Sequence, residues 1–141
     1  MLIAILFWFL CIGGCAYALA LGRWEGRWMT LIILMATLAT MQLETLFDLH
    51  WRETNKVVLG IDLATFLAMY AVAARSRLWW PIWVAAFQLN SVVAHFATVL
   101  SPRFSALVYH GYEGMWAIPL LLFMVIGIHR DRGWNRTHDV A

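Results

Sequence analysis

The sequence predicts an all-α membrane protein, a bundle of five transmembrane helices with the N-terminus outside and the C-terminus cytoplasmic. Three observations carry this expectation. The 141 residues are 63% hydrophobic, with a mean hydropathy of +0.73, and only 13% are charged; soluble domains run to about a quarter charged. Five apolar runs approach or reach the ~20 residues that a bilayer span requires. Basic residues also alternate in density from one loop to the next, as they do when one side of the membrane is cytoplasmic. The length suits one integral membrane domain over residues 1–141. A net charge of +2, with no basic cluster, gives no footprint for nucleic acid.

The first predicted helix is 2–21. It has no basic leader, and its apolar run exceeds the 7–15 residues of a signal-peptide core, so we read it as a retained span. Cys11 and Cys15 lie one helical turn apart within it. Regular helix geometry does not suit a disulfide at that spacing, and both read as small hydrophobes. Gly22-Arg23-Trp24-Glu25-Gly26-Arg27-Trp28 reads as a charged loop with interfacial tryptophans, followed by a second helix over 29–51.

Thr54 is a candidate N-cap for a third helix, 54–74. After the turn Arg75-Ser76-Arg77, a fourth helix covers 78–100 and opens on Trp79, Trp80 and Trp83, which read as an aromatic belt. Pro81 falls in its first turn, where a missing N–H does no harm. The fifth helix has two readings, one starting near Met115 and one running 102–128 with a kink at Pro119. We prefer the longer, because Phe104–Tyr109 lacks loop chemistry and the short run barely spans. The polar tail from His129 is expected to fray.

Orientation follows from the ten Lys and Arg. Arg52, Lys56 and Arg103 fall on one side, and Arg23, Arg27, Arg75, Arg77, Arg130, Arg132 and Arg136 on the other, which is then cytoplasmic. None lies inside a span.

Against that background the ionisable residues stand out, since such groups in a bilayer are costly and need a partner or a function. Counted from the outer helix ends, Glu44, Asp62, His95 and His110 all lie roughly six to eight residues deep, about 9–12 Å. Asp48 and Glu113 lie about one turn to either side of that layer. Helical phase aligns Thr37, Thr40, Glu44 and Asp48 on one stripe, Asp62, Thr65 and Met69 on another, and Gln88, Ser91 and His95 on a third, with Asn90 nearby. The expected result is a polar pocket in the outer half of the bundle above an apolar inner half.

Carboxylates and imidazoles are ligands for divalent metals. His110-x-x-Glu113 and Glu44-x-x-x-Asp48 each place two on one helical face, in the manner of carboxylate-bridged metal bundles. The candidate metal ligands are therefore Glu44, Asp48, Asp62, His95, His110 and Glu113, with Gln88 and Asn90 as candidate ligand-binding residues. Haem is disfavoured, because His95 and His110 sit on consecutive helices whose axes would lie about 8–10 Å apart, tight for a porphyrin. The seven methionines fit irregular packing better than a copper path. His50 reads as interfacial.

A buried acid can also be neutral and simply join helices by hydrogen bonds. No nucleophile triad, phosphate-binding glycine loop or His-Glu-x-x-His is present, so whether the chain is an enzyme stays open.

Arg75-Ser76-Arg77-Leu78-Trp79-Trp80-Pro81-Ile82-Trp83, followed by Ala86-Phe87-Gln88-Leu89 and His95, resembles a pattern in small uncharacterised polytopic membrane proteins of alphaproteobacteria. The resemblance covers mainly the third and fourth helices. It implies a bacterial inner (plasma) membrane setting and no particular chemistry. Three functions stay in view: a pocket for a metal ion, proton or small ligand; an accessory or assembly subunit of a larger membrane complex; and a component of a small transporter. The partners implied are the lipid bilayer and either further copies of the chain or a larger complex.

Overall fold

A computed structural model of the chain describes residues 2–46, 51–100 and 106–138, with side chains described at 5, 8–42, 57–97 and 116–133. Among these residues there are five helices and no strand: α1 (Leu2–Leu21), α2 (Trp24–Leu46), α3 (Trp51–Arg75), α4 (Trp80–Leu100) and α5 (Ala106–His138).

Several helix boundaries differ from expectation. α2 begins at Trp24, so the first connection shrinks to Gly22-Arg23. The backbone N–H of Gly22 donates to Ala18 O at 2.9 Å, and Glu25 enters the first turn of α2, where a carboxylate suits the positive end of the helix dipole. A Cβ at Gly22 would overlap Ala18 O and touch Gly26 Cα, so this tight reversal needs glycine. α3 begins at Trp51, ahead of Thr54.

α5 continues through His138 instead of fraying at His129. Two contacts hold its extension: Tyr17 Oη lies 3.1 Å from His129 Nδ1, and the Arg130 guanidinium sits 5.6 Å from the centre of the Trp79 ring. With 33 residues, α5 is about 50 Å long and exceeds the ~30 Å hydrocarbon thickness of a bilayer.

Each helix packs on its neighbour in the chain, and α5 returns to pack on α1, which closes a ring. Short connections make consecutive helices antiparallel. With an odd number of helices, the closing pair must then run parallel: Gly14 faces Val125, and Tyr17 meets His129 one turn further along both.

The core occupies the end of the ring that holds the C-termini of α1 and α3 and the N-termini of α2 and α4. Met29, Val72, Trp80, Val84, Met124 and Ile128 are buried there. Trp80, expected in an interfacial belt, is instead 1% exposed, whereas Trp79 and Trp83 are exposed. Gly127 explains the difference, because the missing side chain lets α5 lie directly against the Trp80 indole. Exposed arginines Arg23, Arg27, Arg75, Arg77 and Arg130 surround this end. Cys11 and Cys15 are buried on α1 as free thiols.

The outside of the ring is apolar. Phe9 (75% exposed) on α1, Met35 on α2, Leu67 on α3, Val93 on α4 and Ile126 on α5 are all exposed. Among the described residues, one helical stretch, Val57–Arg75, is both long and apolar enough to cross a membrane; Trp8–Leu21 is a shorter apolar one. The remaining helices carry polar side chains that lower their mean hydropathy, notably Gln88, Ser91 and His95 on α4, and these turn inward.

Candidate functional site

Five rods about 10 Å thick, arranged in a ring, leave an axial gap roughly 7 Å across. Large side chains fill that gap at the arginine-rich end. Above them it stays open as a cavity of about 320 Å³, lined from all five helices. Ile33, Met69, Leu120 and Leu121 line it on the side of the core, and Trp8, Phe87 and Trp116 supply aromatic surface.

Asp62 on α3 stands in the wall, with Gln88 and Ser91 of α4 beside it. The geometry follows from helical phase. Gln88, Ser91 and His95 recur at i, i+3 and i+7, so one stripe of α4 meets one position of α3. Gln88 Nε2 donates to Asp62 Oδ1 at 3.1 Å, and Ser91 Oγ donates to Oδ2 at 2.9 Å. His95 Nε2 lies 2.7 Å from Oδ2. The His95 side chain is 1% exposed and that of Asp62 17% exposed.

Three donors converging on two oxygens suit an ionised carboxylate, which accepts only. The short contact commits His95 Nε2 to Asp62. The assignment of oxygens matters too. Oδ2 accepts twice and Oδ1 once; a carboxylate has about four acceptor sites, so Oδ1 keeps one.

The remaining polar wall is made of hydroxyls. Thr37, Thr40 and Thr65 donate to the carbonyls of Ile33, Ala36 and Ile61 at 2.9, 3.0 and 2.7 Å. These bonds within single helices use the hydroxyl protons and leave oxygen lone pairs.

The expected site is therefore brought together in part. Asp62, Gln88 and His95 meet. Asn90 is exposed on α4 and does not line the cavity. Glu44, His110 and Glu113 fall on described stretches of α2 and α5, but their side chains, like Asp48 and His50 altogether, lie outside the described residues. Among the described residues, no three His, Cys, Asp or Glu side chains gather as a metal group would need.

Ser91 was absent from the candidate residues although it completes the Asp62 cluster. Its signal was available, because it shares the stripe of Gln88 and His95. Trp8, Phe87 and Trp116 gave no comparable signal, since an apolar lining reads in sequence like ordinary core.

A buried acid lies at the opposite end. Glu25 is 5% exposed and accepts from Ser76 Oγ at 3.3 Å, while Ser76 Oγ also accepts the N–H of Leu78 at 3.0 Å. This chain of bonds ties the start of α2 to the α3–α4 turn. Its carboxylate does not line the cavity. Comparison with protein-family models, with curated proteins and with solved structures finds no match to this chain.

Proposed function

We propose that this chain is a multi-pass protein of the bacterial inner membrane whose helical ring binds a small molecule in its axial cavity, with Asp62 as the polar anchor. The observation that carries this reading is the cavity itself. Its ~320 Å³ falls within the range of small-molecule sites, about 300–1,000 Å³, and such sites are mainly apolar with a few convergent polar groups. Asp62 supplies that convergence, and packing plus three hydrogen bonds hold it in one position. A polar cluster serving only to join helices leaves no reason for an open volume beside it.

The membrane setting is supported by the inside-out distribution of side chains. Large apolar residues cover the outside of every helix, and the polar cluster faces the axis. An exposed apolar surface on this scale marks contact with lipid or with partners. The arginines at one end give the orientation: a reporter fused after Ala141 is expected to read cytoplasmic, and a periplasmic reading would overturn the topology.

Binding is tested on the purified chain in detergent, by measuring Tm against a panel of small cationic, neutral and anionic amphiphiles and by native mass spectrometry for co-purified molecules. At least one class should raise Tm with saturation. Ala117 lines the cavity, and Ala117→Phe should fill it and abolish the shift while the chain remains helical. If no compound raises Tm and nothing co-purifies, the reading fails.

A further inference from the structure

The structure assigns the cavity to a hydrogen-bond-donating cation, and we infer that its ligand class is a small lipophilic organic ammonium. This rests on the reading that the cavity is a binding site, and it adds the charge and the hydrogen-bonding sense of what binds there.

The first argument concerns donors and acceptors. The hydroxyl protons of Thr37, Thr40 and Thr65 are spent on carbonyls of their own helices, and that of Ser91 on Asp62. One N–H of Gln88 is spent in the same way. Beside the second N–H of Gln88, what these side chains still offer is acceptors: threonine lone pairs and the remaining site on Asp62 Oδ1. A ligand that brings its own donor satisfies them. A carboxylate or phosphate would set acceptor against acceptor and charge against charge.

The second argument concerns sign. Among the described residues that line the cavity, Asp62 is the one formally charged side chain, and there is no Lys or Arg. Its partners within reach are Gln88, Ser91 and His95. The Asp62 carboxylate thus stands at the edge of an apolar space, where a monovalent cation beside it is stabilised far more than in water.

The third argument is the aromatic lining. Trp8, Phe87 and Trp116 stand around the same volume, and the Phe87 and Trp116 rings stack with centroids 6.3 Å apart. Aromatic faces attract alkylammonium ions, tryptophan most strongly, and the effect grows when water is excluded. An ammonium N–H on Oδ1 with its carbon groups against these rings uses every feature of the wall at once.

The discriminating probe is N,N-dimethylbenzylammonium against isobutylbenzene, its uncharged carbon isostere, with 3-phenylpropionate as the anionic counterpart. Binding to the full-length protein in detergent is measured by calorimetry and tryptophan fluorescence at a pH where the amine is protonated. The cation is expected to bind at least about tenfold more tightly than its isostere. Asp62→Asn should bring the two to similar affinity, and Trp8→Leu should narrow the preference without changing isostere binding.

The wild-type ratio alone decides the class even if Asp62→Asn fails to fold. Equal affinity for cation and isostere, or preferential binding of 3-phenylpropionate, would overturn the ammonium assignment and leave the cavity as a binding site. Failure of all three probes, with no Tm response to any amphiphile, would overturn both.

Discussion

Replacing Asp62 with alanine is expected to destabilise the bundle by about 2–5 kcal/mol, among the largest effects of any single truncation in this chain. Two magnitudes bracket the value. Interhelical hydrogen bonds between membrane helices average about 0.6 kcal/mol each, so losing the bonds from Gln88, Ser91 and His95 costs about 2 kcal/mol. If the His95–Asp62 contact is an ion pair, removing one partner leaves a buried charge and costs about 3–5 kcal/mol. Asp62→Asn separates these contributions, because the amide keeps one acceptor oxygen and removes the charge. A loss near the lower bound for Asp62→Ala, nearly recovered in Asp62→Asn, identifies a hydrogen-bonding role. A large loss in both identifies an ion pair. The measurement is reversible unfolding in mixed micelles. No change in either variant would show that the cluster does not join α3 to α4.

Gly127→Ala should destabilise despite improving the helix. Alanine is favoured over glycine in a helix interior by about 1 kcal/mol, but the added methyl would overlap Cβ and Cγ of Trp80. Cβ is fixed to the α4 backbone, so no side-chain rotation relieves that clash and the two helices must separate. Overpacking of this kind costs about 1–3 kcal/mol and sometimes more, so the clash outweighs the gain in propensity. Gly127→Leu should be worse and should expose Trp80, visible as a red shift of its fluorescence. Gly13 and Gly60 are internal controls: a Cβ at either meets nothing within 4 Å, so Gly60→Ala should leave stability unchanged or raise it by up to about 1 kcal/mol. Equal responses at Gly60 and Gly127 would refute the close approach of α5 to α4.

These two sites show what was legible in the sequence. The Asp62 cluster follows from phase, because Gln88, Ser91 and His95 share a stripe by their spacing alone. The burial of Trp80 was illegible. It depends on Gly127, a residue on α5, and neither position signals the other locally. The ring order likewise follows from tertiary packing, so a polar pocket could be anticipated but not its aromatic lining. The acidic stripe at Glu44 and Asp48 falls outside the described side chains, so its place relative to Asp62 rests on helical phase alone.

Ring closure by parallel packing of α1 and α5 sets the order in which the protein can be built. The contacts between consecutive helices can form as soon as each pair has been synthesised. The α1–α5 seam joins residues as far apart as Tyr17 and His129, 112 positions along the chain, and has to wait for α5. It is also the more extensive of the two interfaces that α1 makes with its ring neighbours. Until then α1 keeps Cys11, Cys15 and Ala18, its most buried face, without their final cover. Contacts so distant in sequence carry the largest loop-closure entropy and form late. Helix α5 thus secures α1, and a nascent chain truncated before α5 would have neither a closed ring nor a cavity.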